Sequence, residues 1–395
     1  MVQPFLFVTV LVSLLGFSST IPAEIQCSRS PNYRGESLHP GVNLDEFPAE
    51  FDLSGDLPPD LVERLEAVLD WSLESTQTPG MTAAVGIPDR GIWSSAKGFA
   101  STEARTPVDN NSRFWWASAG KMFTSAVILQ LVGEGKLTLD RTIDTWFPNY
   151  PQSPSITIAN LLAHTGGVFS FQQDLRLLER TGYKTPEELI AISAERGADF
   201  CPGEYWHYSN TGYVMLAKII EAIEAQPFAE VVRSRIIDRL GLTQTIALSP
   251  QELPPDLAIG HVHGEPDADF VPSLVFGAGN IVASSEDMVV FLAGLLSGRV
   301  YPENLLRGSL EEFYPMFDPG TYYGRGIMLY DLDRDSDSVN WVGHGGGSAS
   351  VKAIVAYDLD RRVFVSVAVN ADVPVEAIAY RLVEVVREYR ESTEF

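Results

Sequence analysis

The sequence predicts an α+β fold: one antiparallel sheet assembled from both ends of the chain and flanked by helices, with a mostly helical subdomain inserted. Three observations predict it. Strand-like segments occur early, at residues 81–87 and 92–99, and again late, at 351–357 and 363–369. Between Ser118 and about Leu296 the apolar pattern is mostly helical, punctuated by Pro and Gly. Amphipathic helices stand near both ends, so the two strand blocks have partners for burial.

In chain order, residues 5–15 form an apolar run followed by Ser18, Ser19 and Thr20. We read residues 1–20 as an export signal, too short for a membrane span of roughly 20 apolar residues. No Lys or Arg precedes the run, and a buried N-terminal strand is the alternative. Residues 21–56 are rich in Pro, Gly, Ser and acidic groups and read as a loose leader. Residues 57–392 are expected to form one domain, with a sheet part at 57–112 and 275–392 and a helical part at 113–274. A helix fits 59–73, where Leu61, Leu65, Val68 and Leu69 make a stripe. The turn Pro88-Asp89-Arg90-Gly91 joins the first hairpin, and Asp358-Leu359-Asp360-Arg361 joins the last, ahead of a closing helix at 375–389.

With 395 residues the chain can bury a large core. A formal charge of −24 without any basic block argues against nucleic-acid binding and against adsorption to an anionic membrane. Cys27 and Cys201 can pair after export or stand as two unrelated thiols.

Only six lysines occur, and two of them follow a serine at the same spacing: Ser94–Lys97 and Ser118–Lys121. Ser94 lies in a strand-like segment, where residues three apart point to opposite faces. Ser118 opens a helix, where i and i+3 share a face, so the Lys121 amine can reach the serine hydroxyl. The positive end of the helix favours a developing anion and disfavours a charged lysine, which suits a serine nucleophile with its own base. A second motif, Tyr208-Ser209-Asn210, precedes a helix, so Tyr208 can move protons and Asn210 can hold a substrate amide. The third is His344-Gly345-Gly346-Gly347. Glycines within a strand suggest close approach of a visitor, here a substrate carbonyl held by the N–H groups of Gly347 and Ser118; a glycine-rich loop is the alternative.

In this order and setting the three motifs resemble the serine β-lactamase and DD-peptidase family, more narrowly the group of class C β-lactamases, D-alanyl-D-alanine carboxypeptidases and related esterases. The resemblance implies a β-lactamase-like fold and an acyl-enzyme mechanism in which Ser118 attacks a carbonyl and Lys121 with Tyr208 manages its proton. It implies substrate contacts from Asn210, His344, Gly345, Gly346 and Gly347. Many β-lactamases have Lys-Thr-Gly where this chain has His344-Gly345-Gly346, so a weaker grip on carboxylates is expected, one that Lys at 344 with Thr at 345 would restore. The expected protein is an exported hydrolase, periplasmic or secreted, acting on amide or ester bonds in the manner of a carboxypeptidase or esterase. Its expected substrate is a small molecule or peptide, with peptidoglycan as one source. A class C-like β-lactamase and a slow penicillin-binding or peptidoglycan-sensing module are the alternatives. No cofactor is expected. His261 and His263 alternate like metal ligands but lack a third, so no metal is expected. His164 reads as a residue that fixes a loop; Trp115 and Trp116 line a pocket or pack the core.

Overall fold

The structure is a computed structural model that describes residue 27 and residues 32–175, 182–267, 270–332 and 339–393. The expected export signal lies outside the described residues. The first long helix, Pro59–Thr76, begins on Pro58-Pro59, whose fixed φ suits a first turn, and ends at Gln77 in the left-handed region. Its Leu61, Leu65 and Leu69 are fully buried. They meet the C-terminal helix Val375–Ser392 and the outer face of the sheet in a core that includes Ile354, Val365 and Val386.

The strands are β1 (Gly80–Ile87), β2 (Gly91–Ser101), β3 (Thr106–Pro107), β4 (Phe114–Trp115), β5 (Ile246–Ala247), β6 (His261–Val262), β7 (Glu265–Pro266), β8 (Ile281–Ala283), β9 (Tyr314–Pro315), β10 (Thr321–Tyr323), β11 (Met328–Leu332), β12 (Val339–Gly347), β13 (Lys352–Asp358) and β14 (Val363–Val369). Nine of them form one antiparallel sheet in the order β3-β2-β1-β14-β13-β12-β11-β10-β9. The N-terminal hairpin joins the C-terminal one directly, with Met81 opposite Val369 and Val85 opposite Val365. Every residue of β1 and β14 is buried, because helices cover both faces. The second face packs on the helix Ser285–Leu296, and beyond it the buried helices Lys121–Gly133 and Asn210–Glu224 share one large core. The residues of Lys121–Gly133 from 121 to 131 are all buried, as an all-round apolar helix requires.

Residues 314–332 supply β9, β10 and β11; strands of two to five residues are too short to show alternation. Beside the mostly helical insertion, β4, β8 and β5 form a small sheet. The leader is irregular but not loose where it is described. The Arg34 N–H donates to the Glu204 carbonyl at 2.7 Å, and His39 bridges to Phe313. Leu44, Phe51 and Leu57 are buried, with Phe51 edge-on to Phe364 at 4.8 Å. Isolated apolar residues bury as well as periodic ones when a groove is there to receive them.

Cys27 and Cys201 form a disulfide that spans 174 residues, with their Cα atoms 5.4 Å apart. So long a loop carries a large closure entropy when unfolded, and removing the cross-link is worth about 3–5 kcal/mol. Cys27→Ser should therefore lower the thermal midpoint by several degrees, to the same value that reduction produces in the parent protein; differential scanning calorimetry checks both.

Candidate active site

Ser118 sits at the junction of the small sheet and the central helix. Trp115 pairs with Val282 in β8, and the Trp116 N–H and indole donate to the carbonyls of Ile281 and Ala283, each at 3.0 Å. Ala117 then turns the chain with φ of 44°, an unusual value for a non-glycine residue and one that concentrates at functional sites. Ala117–Gly120 is a 3-10 turn that runs into the helix at Lys121, so Ser118 lies just ahead of the helix rather than within it. In a three-residue turn, positions i and i+3 eclipse, which sets Lys121 directly over Ser118.

Lys121 is fully buried, its Nζ 3.1 Å from Ser118 Oγ and 2.6 Å from the Ala278 carbonyl. It faces the rings of Tyr208 and Tyr213 at 4.8 and 5.5 Å. Burial holds its pKa well below that of a free lysine, which favours the neutral amine over the charged one. Lys97 shows the opposite fate. Burial pulls its pKa down, but Glu66 at 2.7 Å and Asp70 at 2.9 Å outweigh that and raise it. Ser94, three residues before it, is bonded to Glu286. The two serine–lysine pairs share a spacing and nothing else.

The segment 277–280 holds Lys121 in place. Gly277 and Ala278 carbonyls accept from Thr124 and Lys121, and a Cβ at Gly279 would stand 2.7 Å from the Ala117 carbonyl.

Tyr208 is partly exposed, and the nearby Ser118 hydroxyl acts on its phenol. Burial of that end raises its pKa far above neutrality, against the pull of Ser118. Ser209 caps the helix Asn210–Glu224 through the Gly212 N–H, which aims Tyr208 back at Ser118 and leaves Asn210 at the first helical position. The Asn210 amide donates to Gln172 Oε1. His164 fixes this loop from both of its ends: its carbonyl accepts from the His207 N–H at 3.0 Å, and its Nδ1 accepts from the Ser209 N–H at 3.1 Å. A ring nitrogen that accepts from a backbone N–H carries no proton, so His164 is neutral. Burial, then the nearby Lys121 and His344, drive its pKa down in agreement.

β11 accompanies β12 only as far as Gly343, while β13 continues to Gly347. Among the described residues no strand covers the other edge of 344–347. At Gly346 a Cβ would overlap the Trp116 carbonyl and stand 2.8 Å from the Ser118 nitrogen. The visitor that demands glycine at 346 is therefore the serine turn itself, where the sequence suggested a substrate carbonyl. A Cβ at Gly345 would lie 2.9 Å from the Tyr330 hydroxyl, and one at Gly347 would meet the Lys352 side chain.

His344 corrects the expectation of a substrate contact. Its ring is 1% exposed, with Nδ1 against the Gly345 carbonyl at 2.5 Å and Nε2 against the Tyr323 hydroxyl at 3.1 Å. Burial, reinforced by Lys121, pushes its pKa down to about 3, so it is neutral throughout the working range. A lysine at 344 would bury a second amine beside Lys121, and a threonine at 345 would crowd Tyr330. The expected rescue of carboxylate binding by that pair of replacements is withdrawn.

Three shell residues carried no sequence signal of their own. Tyr213 donates to the Leu162 carbonyl, Tyr323 ties His344 to Tyr213, and Phe317 stands over Tyr208. Isolated tyrosines at no fixed spacing gave nothing to find. Of the paired tryptophans, Trp116 packs the core. Trp115 lines a cavity of about 660 Å³, together with Phe270, Leu257 and Val351, and none of Ser118, Lys121 or Tyr208 reaches it. His261 is bonded to Thr102 and to the Asn370 carbonyl. Among the described residues no cluster of three or more His, Cys, Asp or Glu side chains is arranged to hold a metal.

Gly346→Ala tests the contact on which the site is built. Because the overlap is with backbone, which cannot swing aside, the turn must shift. We expect kcat/KM on an ester substrate to fall by about 100-fold or more, with an unchanged far-ultraviolet circular dichroism spectrum, since an ångström of misplacement costs about that much.

The β-lactamase family model matches residues 61–387. PbpX, a candidate penicillin-binding protein of Bacillus subtilis (strain 168), is 29% identical over 257 residues, which cover 64% of this chain and 62% of that one. The teichoic acid D-alanine hydrolase of Staphylococcus aureus is 24% identical over 255 residues, 63% of each chain. The chain thus spans a little under two thirds of the length of both. Among solved structures, the D-amino acid amidase from Ochrobactrum anthropi SV3, complexed with L-phenylalanine amide, superposes with a TM-score of 0.74 at 25% identity, covering 84% of this chain and 99% of that one. With the family model spanning most of its length and a buried lysine set beneath a serine, the chain belongs to the β-lactamase family.

Proposed function

We propose that the protein is an exported hydrolase of esters and amides of D-amino acids that carry no free carboxylate, working through an acyl-enzyme on Ser118. The observation that carries the reading is the neutral pair around that hydroxyl: an amine at 3.1 Å held uncharged by burial, and a phenol held protonated. Lys121 is the acylation base. It takes the Ser118 proton as Oγ attacks, and Tyr208 gives its own to the leaving oxygen or nitrogen and recovers one from Lys121. The N–H groups of Ser118 and Gly347 receive the oxyanion, and the Asn210 side-chain oxygen accepts from the α-amino group of the acyl portion. Water then attacks the acyl-enzyme by the reverse proton path. The D-configuration is supported by relatives named as a D-alanine hydrolase and a D-amino acid amidase. Export is supported by the apolar run at residues 5–15 and by the disulfide, which forms readily in an oxidising compartment. The carboxypeptidase, β-lactamase and penicillin-sensing readings each need a grip on a carboxylate, and His344, neutral and enclosed, supplies none.

Two tests follow. Ser118→Ala should abolish hydrolysis of D-alanine esters and labelling by a fluorophosphonate; retention of both would sink the proposal. Lys121→Arg keeps a permanent cation where a neutral amine is needed, and kcat/KM should fall by about a thousandfold or more. In the parent protein kcat/KM should drop as acid protonates Lys121, below the range of an ordinary lysine. Tyr208, raised above 10.0, should add no alkaline limb below about pH 10.

A further inference from the structure

Phe317 is 68% exposed, an unusual position for so large an apolar side chain. It occupies the tip of the β9–β10 hairpin, where Met316 N–H donates to the Thr321 carbonyl at 2.9 Å and the Thr321 N–H to the Asp318 carbonyl at 3.1 Å. The hairpin is thus closed by its own backbone, and the ring is free to serve something else. It stands edge-on to Trp206 at 5.4 Å and 5.8 Å from Tyr208, the tyrosine beside Ser118. Trp206 and Tyr208 in turn approach Tyr323, so an aromatic wall leads from solvent to the buried amine. Among the described residues, the one basic side chain set over any of these rings is Lys121, over Tyr208.

The wall lies on one side of the reacting centre. A scissile carbonyl that meets the N–H groups of Ser118 and Gly347 keeps its acyl portion beside β12, and its leaving atom must face the hydroxyl of Tyr208. Whatever is attached to that atom emerges against Tyr208, Trp206 and Phe317. We propose that these three residues form the leaving-group subsite, and that the preferred substrates are esters or amides of apolar, aromatic alcohols or amines without a carboxylate. This rests on the proposed function and names its substrate class. In the first step the Ser118 Oγ–acyl bond forms, the bond from the acyl carbon to the leaving oxygen or nitrogen breaks, and the serine proton ends on the released alcohol or amine. In the second, water gives its hydroxyl to the acyl carbon and its proton back to Ser118.

D-alanine benzyl ester and D-alanine ethyl ester test this, since their leaving alcohols have similar acidity and differ in the ring. The parent protein should favour the benzyl ester by about tenfold or more in kcat/KM, mainly through KM, and Phe317→Ala should collapse that ratio about tenfold while Phe317→Tyr keeps it. Benzyl alcohol should also inhibit the parent protein competitively at concentrations where ethanol does not, an arm that needs no variant. A benzyl-to-ethyl ratio near one, a ratio unmoved by Phe317→Ala, or equal inhibition by the two alcohols overturns the subsite. Those results with hydrolysis still abolished by Ser118→Ala leave the hydrolase reading standing; hydrolysis that survives Ser118→Ala removes both.

Discussion

A neutral amine held in the interior is the constraint on which the rest of this structure depends. Charged, Lys121 would need a carboxylate or several water molecules; among the described ion pairs no acidic group serves it, and one carbonyl and one hydroxyl meet its needs as a free base. That arrangement demands a dry shell, and the shell recruits distant parts of the chain. Ala278 comes from the segment before β8, Tyr208 and Tyr213 from the cap and first turn of one helix, and His344 and Tyr323 from the sheet. Each is uncharged, or is driven uncharged by the same burial. Desolvation that would be a cost in an ordinary core here prepares a base, because the neutral form it favours is the one that can accept the serine proton.

The approach of β12 to the serine turn is the mechanical counterpart. A strand carrying a side chain at 346 could not come close enough for its backbone edge to share an oxyanion with Ser118. The strained turn at Ala117 and the small residue at Gly279 answer the same demand from the other side, bringing the carbonyl of Ala117 and the backbone of 279 together. The glycine-rich stretch of β12 serves as a strand whose free edge begins where β11 departs, at Gly343. Pairing β1 with β14 then joins the two ends of the chain in one sheet, which steadies β12 through β13.

What could be read from the sequence was what is encoded locally. The hairpins at 80–101 and 352–369 announce themselves by strand-forming residues and turn chemistry, and the helices Pro59–Thr76 and Val375–Ser392 by their stripes. Ser118 was separable from Ser94 because helix and strand turn a spacing of three in different directions. The orientation of His344 was not legible, since a histidine in a glycine run says nothing of whether it faces the cleft or a tyrosine 21 residues away in sequence. Nor was the reason for Gly346, which lies 228 positions from the serine it accommodates. The docked leader escaped notice for a related cause: Phe51 and Leu57 stand alone, and only the groove made by later strands gives them meaning.

Substrate charge and base strength are linked through one position. A cation on β12 at 344 would face the same enclosed space as Lys121, within reach of its field, as the influence of Lys121 on the His344 pKa already indicates. Two amines there would each oppose protonation of the other, and the acyl-transfer step needs Lys121 to take up a proton. Recognition of a carboxylate from this position would thus draw on the proton affinity that acylation uses, unless the cavity were opened to water to screen the pair. Enclosing a neutral histidine, tethered to Tyr323, keeps the pocket dry and leaves Lys121 as the one group in it that gains a proton during the reaction. Among the described ion pairs none of the chain's acidic groups reaches Lys121, which supports the proposed preference for esters and amides that carry no carboxylate.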